Sequence, residues 1–269
     1  MILERIIENS QARAAGRQRR RPLRVVERDA IDALAPRAFA AALRAAPHGL
    51  GLIAELKKRS PSAGLLRDPF VVAELAAAYV QGGAQALSVL TESDFFDGAL
   101  ENLERVADAG VPRLQKDFVL GEFQILEGRA AGADAVLLIA EALLPERGRE
   151  LCRFAVDLGL DVLYEAHDAT NVRRVAAEAE RAPGRVMVGV NNRDLRTFEV
   201  TLETSLHACR ELPPGLMIVA ESGIRTPADA VQLRDAGAGA ILVGESLLRA
   251  ADVEAAVREL LSGLGGPPA

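Results

Sequence analysis

The stretch RLQKDFVLGEFQILEGRAAGADAVLLIA, residues 113–140, contains the pattern that decides the fold. Arg113–Phe118 and Ala135–Ala140 are short β-prone runs, and the longer segment between them has the composition and apolar spacing of a helix. Ala131-Gly132-Ala133 separates that segment from the second run, and a glycine just past a helix end tolerates a positive φ. The stretch therefore predicts a strand, a helix and a second strand parallel to the first.

The same alternation continues from Leu50 along the rest of the chain. The predicted strands are Gly51–Lys57, Ala86–Thr91, Arg113–Phe118, Ala135–Ala140, Val162–His167, Val186–Asn191, Met217–Glu221 and Ala240–Val243. An open, doubly wound sheet is the structural alternative, but no G-x-G-x-x-G follows the first strand, and eight βα units favour closure. We therefore predict an α/β fold, a (β/α)8 TIM barrel.

Residues 1–48 lie outside this alternation and predict an N-terminal helical extension. The apolar residues of its two predicted helices are Ile2, Ile6 and Ile7 in the first and Phe39–Leu43 in the second. Between them lies the basic run Arg17-Gln18-Arg19-Arg20-Arg21. We interpret the run as a solvated linker, because charge runs are usually solvated; a polyanion contact or a substrate-attracting rim is the alternative.

Composition indicates an ordinary globular protein. The 269 residues are 49% hydrophobic and 26% charged, which fits one domain over residues 1–269, with the extension at 1–48 and the barrel at 49–265. The net charge of -6 gives no sequence-wide positive field, so nucleic acid is not an expected partner.

The chain carries no sign of secretion or of membrane insertion. Cys152 and Cys209 are far apart and form no C-x-x-C motif, which fits a reducing compartment and predicts neither a disulfide nor a thiolate metal site. The N-terminus mixes acidic and basic residues without a long apolar segment, and no stretch approaches the ~20 apolar residues of a membrane span. We expect a cytoplasmic protein.

Charged residues stand at the carboxyl ends of the predicted strands, where a barrel enzyme holds its chemistry. Residues two apart lie on one face of a strand. Such pairs are Glu55 with Lys57, Lys116 with Phe118, Glu165 with His167, Asn191 with Arg193 and Glu221 with Gly223. Each charge taken singly is equally well explained as a structural salt bridge or a rim charge. Together they predict one polar mouth, formed by Glu55, Lys57, Lys116, Glu165, Asn191, Arg193 and Glu221.

Glycines follow the last two strands, in Glu221-Ser222-Gly223-Ile224 and Val243-Gly244-Glu245-Ser246. Glycine lets backbone N–H groups approach an anion, and the loops after strands seven and eight are the usual phosphate site of these barrels. Thr226-Pro227-Ala228-Asp229 then reads as the N-cap, N1 proline and capping acid of a helix. The pattern predicts a phosphorylated small-molecule substrate.

Neither a metal nor a cofactor is predicted. His48, His167 and His207 show no ligand spacing. The segment Glu165-Ala166-His167-Asp168 has the residue types of a metal cluster, but such groups at a strand end serve acid–base work more often.

Six segments, in order along the chain, resemble the indole-3-glycerol-phosphate synthase family. They are Ile53–Ser62 (IAELKKRSPS), Leu87–Glu92 (LSVLTE), Lys116–Phe118 (KDF), Asn191–Leu195 (NNRDL), Ala220–Ile224 (AESGI) and Val243–Leu247 (VGESL). The N-terminal helices fit the same family. Gln115, where the family often has arginine, Glu141 after the fourth strand and the basic run at 17–21 depart from its pattern.

The resemblance implies conversion of 1-(2-carboxyphenylamino)-1-deoxy-D-ribulose 5-phosphate into indole-3-glycerol phosphate, carbon dioxide and water, in tryptophan biosynthesis. It implies that Lys116 is the general acid for ring closure and Glu165 its acid–base partner. Glu55 and Asn191 would position the substrate's hydroxyl and amine, and Lys57 would contact both the phosphate and the reacting region. Either the Lys57 and Glu55 pair or the Lys116 and Glu165 pair would manage the final dehydration.

The resemblance also assigns residues to substrate binding. Arg193 and Glu221 would complete the charge network. The aromatic ring would be walled by Pro61, Phe96, Phe118 and Leu137. The phosphate would be bound by Lys57, Ser60, Ser222, Gly223, Gly244 and Glu245. The expected partner is the phosphorylated, anthranilate-derived substrate, and the expected state is a monomer with weak association to other tryptophan-pathway enzymes.

Two other functions remain open on the sequence alone. A phosphosugar isomerase or a Schiff-base aldolase would use Lys116 as a nucleophile, and borohydride would trap its imine. An inactive phosphate-binding protein would keep the fold, but it would not need both acids and bases at its strand ends.

Overall fold

The computed structural model describes residues 2–194 and 199–265, where eight parallel strands close into a barrel. The strands are β1 (Gly51–Leu56), β2 (Ala86–Leu90), β3 (Arg113–Lys116), β4 (Ala135–Ile139), β5 (Asp161–Ala166), β6 (Val186–Asn191), β7 (Ile218–Glu221) and β8 (Ala240–Val243). Each strand pairs with the next along the chain, and β1 pairs with β8 from Gly51 opposite Ala240. Closure confirms the TIM barrel and rules out the open sheet.

The predicted strands agree with these bounds to within two residues. β6 and β8 match fully, whereas β1 ends before Lys57 and β3 ends at Lys116, two residues before Phe118. Glu55, Lys116, Glu165, Asn191 and Glu221 are still paired in the ladder, whereas Lys57, Phe118 and Arg193 follow the last strand residues. A short antiparallel hairpin, Arg59–Ser60 with Gly64–Leu65, follows β1.

Helices alternate with the strands and surround them. They are α1 (Ile2–Arg20), α2 (Leu23–Asp32), α3 (Phe39–Arg44), α4 (Val72–Gly82), α5 (Glu101–Arg105), α6 (Glu122–Ala130), α7 (Pro145–Asp157), α8 (Ala169–Arg181), α9 (Glu203–Glu211), α10 (Pro227–Asp235), α11 (Glu245–Leu248) and α12 (Val253–Ser262), with 3-10 turns at Ala107–Ala109 and Ala140–Ala142. Thr226 and Asp229 form the predicted capping box of α10. Gly83 ends α4 with a φ of 112°, as its position before β2 predicts.

The extension closes the amino end of the barrel. Phe39 and Leu43 of α3 are buried in the cluster that fills the barrel interior. A Cβ on Gly51, the first residue of β1, would lie 2.9 Å from the Leu43 side chain, so α3 packs directly on the strand. Asp161, at the start of β5, accepts a hydrogen bond of 2.8 Å from the backbone N–H of Ala40. The amino end is therefore a packed and hydrogen-bonded floor.

The basic run is helical and is not the predicted linker, although Gln18, Arg19 and Arg20 are exposed, as expected of a solvated run. Residues 17–20 are the last turn of α1, where cations complement the helix dipole. The Arg17 guanidinium lies 2.9 Å from the carboxylate of Glu127, whose side chain is only 5% exposed. Arg21 pairs at 2.5 Å with Asp29 in α2. The run therefore ends one helix and attaches it to the barrel, and the extension contains three helices where two were expected.

Candidate active site

A cavity of about 590 Å³ opens at the carboxyl ends of the strands. All of the residues proposed from the sequence for chemistry or binding line it: Glu55, Lys57, Ser60, Pro61, Phe96, Lys116, Phe118, Leu137, Glu165, Asn191, Arg193, Glu221, Ser222, Gly223, Gly244 and Glu245. They come from loops and strand ends distributed around the barrel. Barrel closure therefore brings together residues that are separated by up to 190 positions in the chain.

Lys116 lies between two carboxylates at the centre of this mouth. Its Nζ is 2.6 Å from Glu165 Oε2 and 2.8 Å from Glu221 Oε2. Burial alone would lower the pKa of Lys116, but the attraction of Glu165 and then of Glu221 outweighs it and raises that pKa above the ordinary lysine value. Lys116 is therefore held as an ammonium ion.

The two carboxylates are not equivalent. Glu165 is buried, yet the charge and hydrogen bond of Lys116 and a 2.8 Å bond from the Asn191 amide keep its pKa below the usual value. Burial and then the neighbouring charge of Glu165 raise the pKa of Glu221 to about 8. Gly189 makes room for this arrangement, because a Cβ there would lie 2.6 Å from Glu221 Oε1. The two side chains are thus driven in opposite directions, Glu165 toward the carboxylate and Glu221 toward the carboxylic acid.

A second acid–base pair lies at the end of β1. Lys57 Nζ donates a hydrogen bond to Glu55 Oε1, and the Glu55 side chain is only 5% exposed. Gly244, after β8, faces this pair: a Cβ on Gly244 would lie 2.7 Å from Glu55 Oε1. The glycine of the predicted phosphate loop therefore also makes space for the Glu55 carboxylate.

The loops after β7 and β8 form the glycine-rich side of the cavity. Ser222 and Gly223 both have left-handed backbones, with φ of 66° and 82°. α11 begins directly after Gly244, and the first N–H groups of a helix have no acceptor within the helix. Ser246 Oγ donates a 3.1 Å hydrogen bond to the carbonyl of Ile224, which joins the two loops. The loops are thus built to present backbone N–H groups to an anion.

An apolar slot forms another part of the cavity. The rings of Phe96 and Phe118 have centroids 6.2 Å apart and planes inclined by 34°. Pro61 and Leu137 also line the cavity. The arrangement suits a flat aromatic group beside the charged cluster.

Comparison with known proteins identifies the family. The family model described as indole-3-glycerol phosphate synthase matches residues 3–260. The chain belongs to this family. A relative named indole-3-glycerol phosphate synthase, from Verminephrobacter eiseniae, is 42% identical over 268 residues, which cover 97% of this chain and 99% of the relative. A relative of the same name from Koribacter versatilis is 45% identical over 261 residues, covering 96% and 98%.

Solved structures resemble this member of the indole-3-glycerol phosphate synthase family in their fold alone. A 3-hexulose-6-phosphate synthase aligns with a TM-score of 0.62 and 18% identity, covering 80% of this chain and 99% of that one. Orotidine 5'-phosphate decarboxylase from Pyrococcus horikoshii aligns with a TM-score of 0.58 and 16% identity, over 80% and 99%.

In this family member the cavity also contains residues that were not predicted. Leu3 and Ile6 of α1 line it, so the extension reaches the barrel mouth as well as the floor. Ile6 belongs to the predicted amphipathic helix, but the apolar pattern does not reveal what its apolar face covers. Arg225 and Arg249, which follow the two glycine loops, line the cavity too.

His167 does not line the cavity with Glu165, although the period of two placed both on one face. β5 ends at Ala166, and the chain then turns. His167 Nδ1 lies 2.8 Å from the carbonyl oxygen of Asn191, and its backbone N–H donates a 2.8 Å bond to Glu141. Glu141 therefore joins the loops after β4 and β5 and is not part of the pocket entrance.

Two further observations concern partners of the described chain. Across residues 2–194 and 199–265, no group of three or more histidine, cysteine or acidic side chains is arranged to hold a metal ion. Over the same ranges, every helix is too short or too polar to cross a membrane.

Proposed function

We propose that the chain converts 1-(2-carboxyphenylamino)-1-deoxy-D-ribulose 5-phosphate into indole-3-glycerol phosphate in the cavity at the barrel mouth. Membership of the family makes it a decarboxylating lyase of tryptophan biosynthesis. One observation carries the assignment of the site: a single cavity contains the Lys116 cluster, the phenylalanine slot and the two glycine loops. These three parts correspond to the reacting ketone, the aromatic ring and the phosphate of the substrate.

Binding uses the two ends of the substrate. The phosphate lies against the loops after β7 and β8, with contacts from Lys57, Ser60, Ser222, Gly223, Gly244 and Glu245. The ring lies in the slot formed by Pro61, Phe96, Phe118 and Leu137. An apolar slot weakens solvation of the ring's carboxylate, which favours its later loss as carbon dioxide.

Ring closure depends on Lys116. When the ring carbon attacks the ketone, negative charge develops on the former ketone oxygen, and a proton donor must neutralise it. The Lys116 ammonium, held by Glu165 and Glu221, supplies that proton. Glu165 takes part as the acid–base partner of the lysine, and the Asn191 amide fixes the orientation of its carboxylate.

The remaining steps release carbon dioxide and water. Loss of the carboxylate leaves an electron pair on the ring, and expulsion of the hydroxyl as water then requires a proton donor and a base. Two such pairs line the cavity, Lys116 with Glu165 and Lys57 with Glu55. Glu55 and Asn191 position the substrate's hydroxyl and amine, and Arg193 balances the remaining negative charge.

The geometry favours this reaction over a Schiff-base mechanism. An amine nucleophile must be uncharged, and enzymes usually obtain one by desolvation or by placing another cation nearby. Lys116 has the opposite surroundings, because Glu165 and Glu221 both lie within 2.8 Å of its Nζ and favour its charged form. A role as proton donor is therefore the better match.

The Lys116 cluster, the phenylalanine slot and the glycine loops share one barrel mouth, so the proposed chemistry needs no residue from a second copy. We propose that the enzyme acts as a cytoplasmic monomer, with weak association to other tryptophan-pathway enzymes. Sedimentation of the purified chain tests this state, and a stable dimer at micromolar concentration would contradict it.

The decisive experiment is incubation with the carboxyphenylamino-deoxyribulose phosphate while indole fluorescence is followed. Fluorescence should rise with the amount of enzyme, and one equivalent of carbon dioxide should be released for each indole-3-glycerol phosphate formed. The dephosphorylated substrate is the control and should react far more slowly. Folded protein that forms no indole-3-glycerol phosphate from the phosphorylated substrate would overturn the proposed function.

A further inference from the structure

Two carboxylates beside the slot take no part in the proposed acid–base chemistry. Glu92 follows β2 and is 4% exposed, and Asp117 follows Lys116 at the end of β3. Each accepts the backbone N–H of a phenylalanine that lines the slot: Glu92 Oε2 from Phe96 at 3.2 Å, and Asp117 Oδ1 from Phe118 at 2.8 Å. The same device therefore fixes both phenylalanines that line the slot.

Glu92 organises the loop that carries Phe96. Its Oε1 accepts the N–H of Asp94 at 3.0 Å, and its Oε2 accepts those of Phe95 at 2.8 Å and Phe96. A buried carboxylate is costly without hydrogen bonds, and three N–H groups satisfy this one. The loop backbone is thus wrapped around the Glu92 side chain, which fixes where the Phe96 ring begins.

The loop then closes tightly behind Phe96. The N–H of Gly98 donates a 2.8 Å bond to the Glu92 carbonyl. A Cβ on Gly98 would lie 2.6 Å from the carbonyl oxygens of both Glu92 and Leu90, so only glycine fits this return. The backbone of residues 92–98 is therefore tightly constrained, and Phe96 belongs to this segment.

Phe118, which packs against Phe96, is fixed by a second carboxylate. Asp117 Oδ2 accepts a 2.5 Å bond from the Thr91 hydroxyl at the end of β2, so Asp117 ties Phe118 to the neighbouring strand. The Phe118 carbonyl accepts bonds of 2.8 Å each from Ser10 Oγ of α1 and from Gln124 Nε2. Both backbone polar groups of Phe118 are therefore held by side chains.

We propose that Glu92 and Asp117 are positioning residues that set the separation of Phe96 and Phe118, and thereby the affinity for the substrate's aromatic ring. Phe96 and Phe118 lie outside helices and strands, so their positions depend on these side-chain hydrogen bonds. The inference rests on the proposed function, because it assigns the slot to that ring.

The test separates ring binding from phosphate binding. Dissociation constants are measured for a reduced, non-reactive substrate analogue and for glycerol 3-phosphate, which has no ring. Glu92→Ala should lower the affinity for the analogue by about two- to tenfold, which is the range that one aromatic contact contributes. The affinity for glycerol 3-phosphate should not change. KM for the substrate should rise by a similar factor, while kcat changes less.

Conservative variants and a control make the test specific. Glu92→Gln keeps an oxygen that accepts the Phe95 and Phe96 N–H groups, so its analogue affinity should lie between wild type and Glu92→Ala. Asp117→Asn keeps the acceptor for Phe118 and should bind the analogue nearly as wild type does. Asp252→Ala removes a carboxylate that accepts the N–H of Ala255 in α12, outside the site, and should change neither affinity.

The outcomes distinguish this proposal from the proposed function. If Glu92→Ala binds the analogue as tightly as wild type, or loses affinity equally for both ligands, the positioning role is wrong. This outcome leaves the proposed function intact, provided that the wild-type enzyme turns over its substrate. If the wild-type protein forms no indole-3-glycerol phosphate, the proposed function itself fails. Thermal unfolding of each variant verifies that the affinities refer to folded protein.

Discussion

The side chain of Lys116 shows how one residue combines stability and chemistry. An ammonium ion taken out of water costs several kcal/mol unless opposite charges repay it, and here two carboxylates lie within 2.8 Å. Those carboxylates in turn need the lysine. Because each group needs the other, the proposed proton donor is charged, fixed and adjacent to a carboxylate.

Removal of the proton donor should damage turnover far more than binding. Lys116→Met should fold, bind the reduced analogue nearly as wild type does and lose about 10²–10⁴-fold in kcat, because a positioned general acid typically contributes that factor. Steady-state kinetics and analogue binding measure the two effects. Lys58→Met, which removes a half-exposed lysine paired with Asp97 at 3.5 Å, is the matched control and should keep normal kcat. If Lys116→Met has a near-normal kcat and a raised KM, Lys116 is a binding residue. Lys57 would then be the candidate for the general acid.

Glu221 should control the alkaline limb of the pH profile. Below its raised pKa of about 8 it is neutral, and Lys116 faces one charged carboxylate; above it, Lys116 faces two. The second negative charge makes Lys116 a weaker acid and repels the anionic substrate. We therefore expect kcat/KM to fall as the pH rises through about 8, and Glu221→Gln to lose this fall. An identical alkaline limb in Glu221→Gln would show that another group titrates there.

At the scale of elements, the turn from β8 into α11 serves two parts of the site. Gly244 leaves space for the Glu55 carboxylate and precedes the first amides of α11, which belong to the proposed phosphate site. A single missing side chain therefore connects the proposed phosphate site to the Lys57 and Glu55 pair. The same position cannot be optimised for one role without affecting the other.

Gly244→Asp should therefore weaken substrate binding and also disturb Glu55. A carboxylate at this position would repel the phosphate and approach Glu55 Oε1, so KM and the inhibition constant of inorganic phosphate should both rise by about tenfold or more. Gly16→Ala within α1, where a Cβ meets nothing closer than 3.8 Å, should change neither value. An unchanged KM in folded Gly244→Asp would contradict the assigned phosphate site.

The strands and the charged mouth were predictable because both follow from local patterns. β-prone runs, helix-ending glycines such as Gly132 and charges at strand ends repeat in each βα unit, and closure brings the ends together. The path of α1 was not predictable in this way. Its position depends on tertiary contacts, such as Ser10 with Phe118 and Arg17 with Glu127, which no periodicity contains. The hydrogen bonds of Glu92 were hidden for the same reason, because a glutamate after a strand looks like any other charged strand end.

At the scale of the whole molecule, the two ends of the barrel have different tasks. The carboxyl end holds charges around an open cavity, whereas the amino end uses buried carboxylates to fasten the extension. Asp134 accepts the backbone N–H of Arg37 at 2.7 Å and that of Arg113 at 2.8 Å, and Asp161 accepts that of Ala40. In barrel enzymes, residues at the carboxyl end serve chemistry and those at the amino end serve stability.

Asp134→Ala should separate these two tasks. The change leaves the N–H groups of Arg37 and Arg113 without their acceptor and the Arg113 guanidinium, 3.5 Å from the carboxylate, without its charge partner. The loss of one member of a buried pair costs about 3–5 kcal/mol, so the free energy of unfolding in urea should fall by that amount. In Asp134→Asn, which keeps one acceptor oxygen, the free energy of unfolding should fall less. In Asp235→Ala, which removes a half-exposed side chain, it should change by about 0.5 kcal/mol or less.

Below the unfolding transition, kcat/KM of Asp134→Ala should stay within about twofold of wild type, because Asp134 lies at the end of the barrel opposite the cavity. A folded Asp134→Ala protein with greatly reduced kcat/KM would show that the floor of the barrel also shapes the active site.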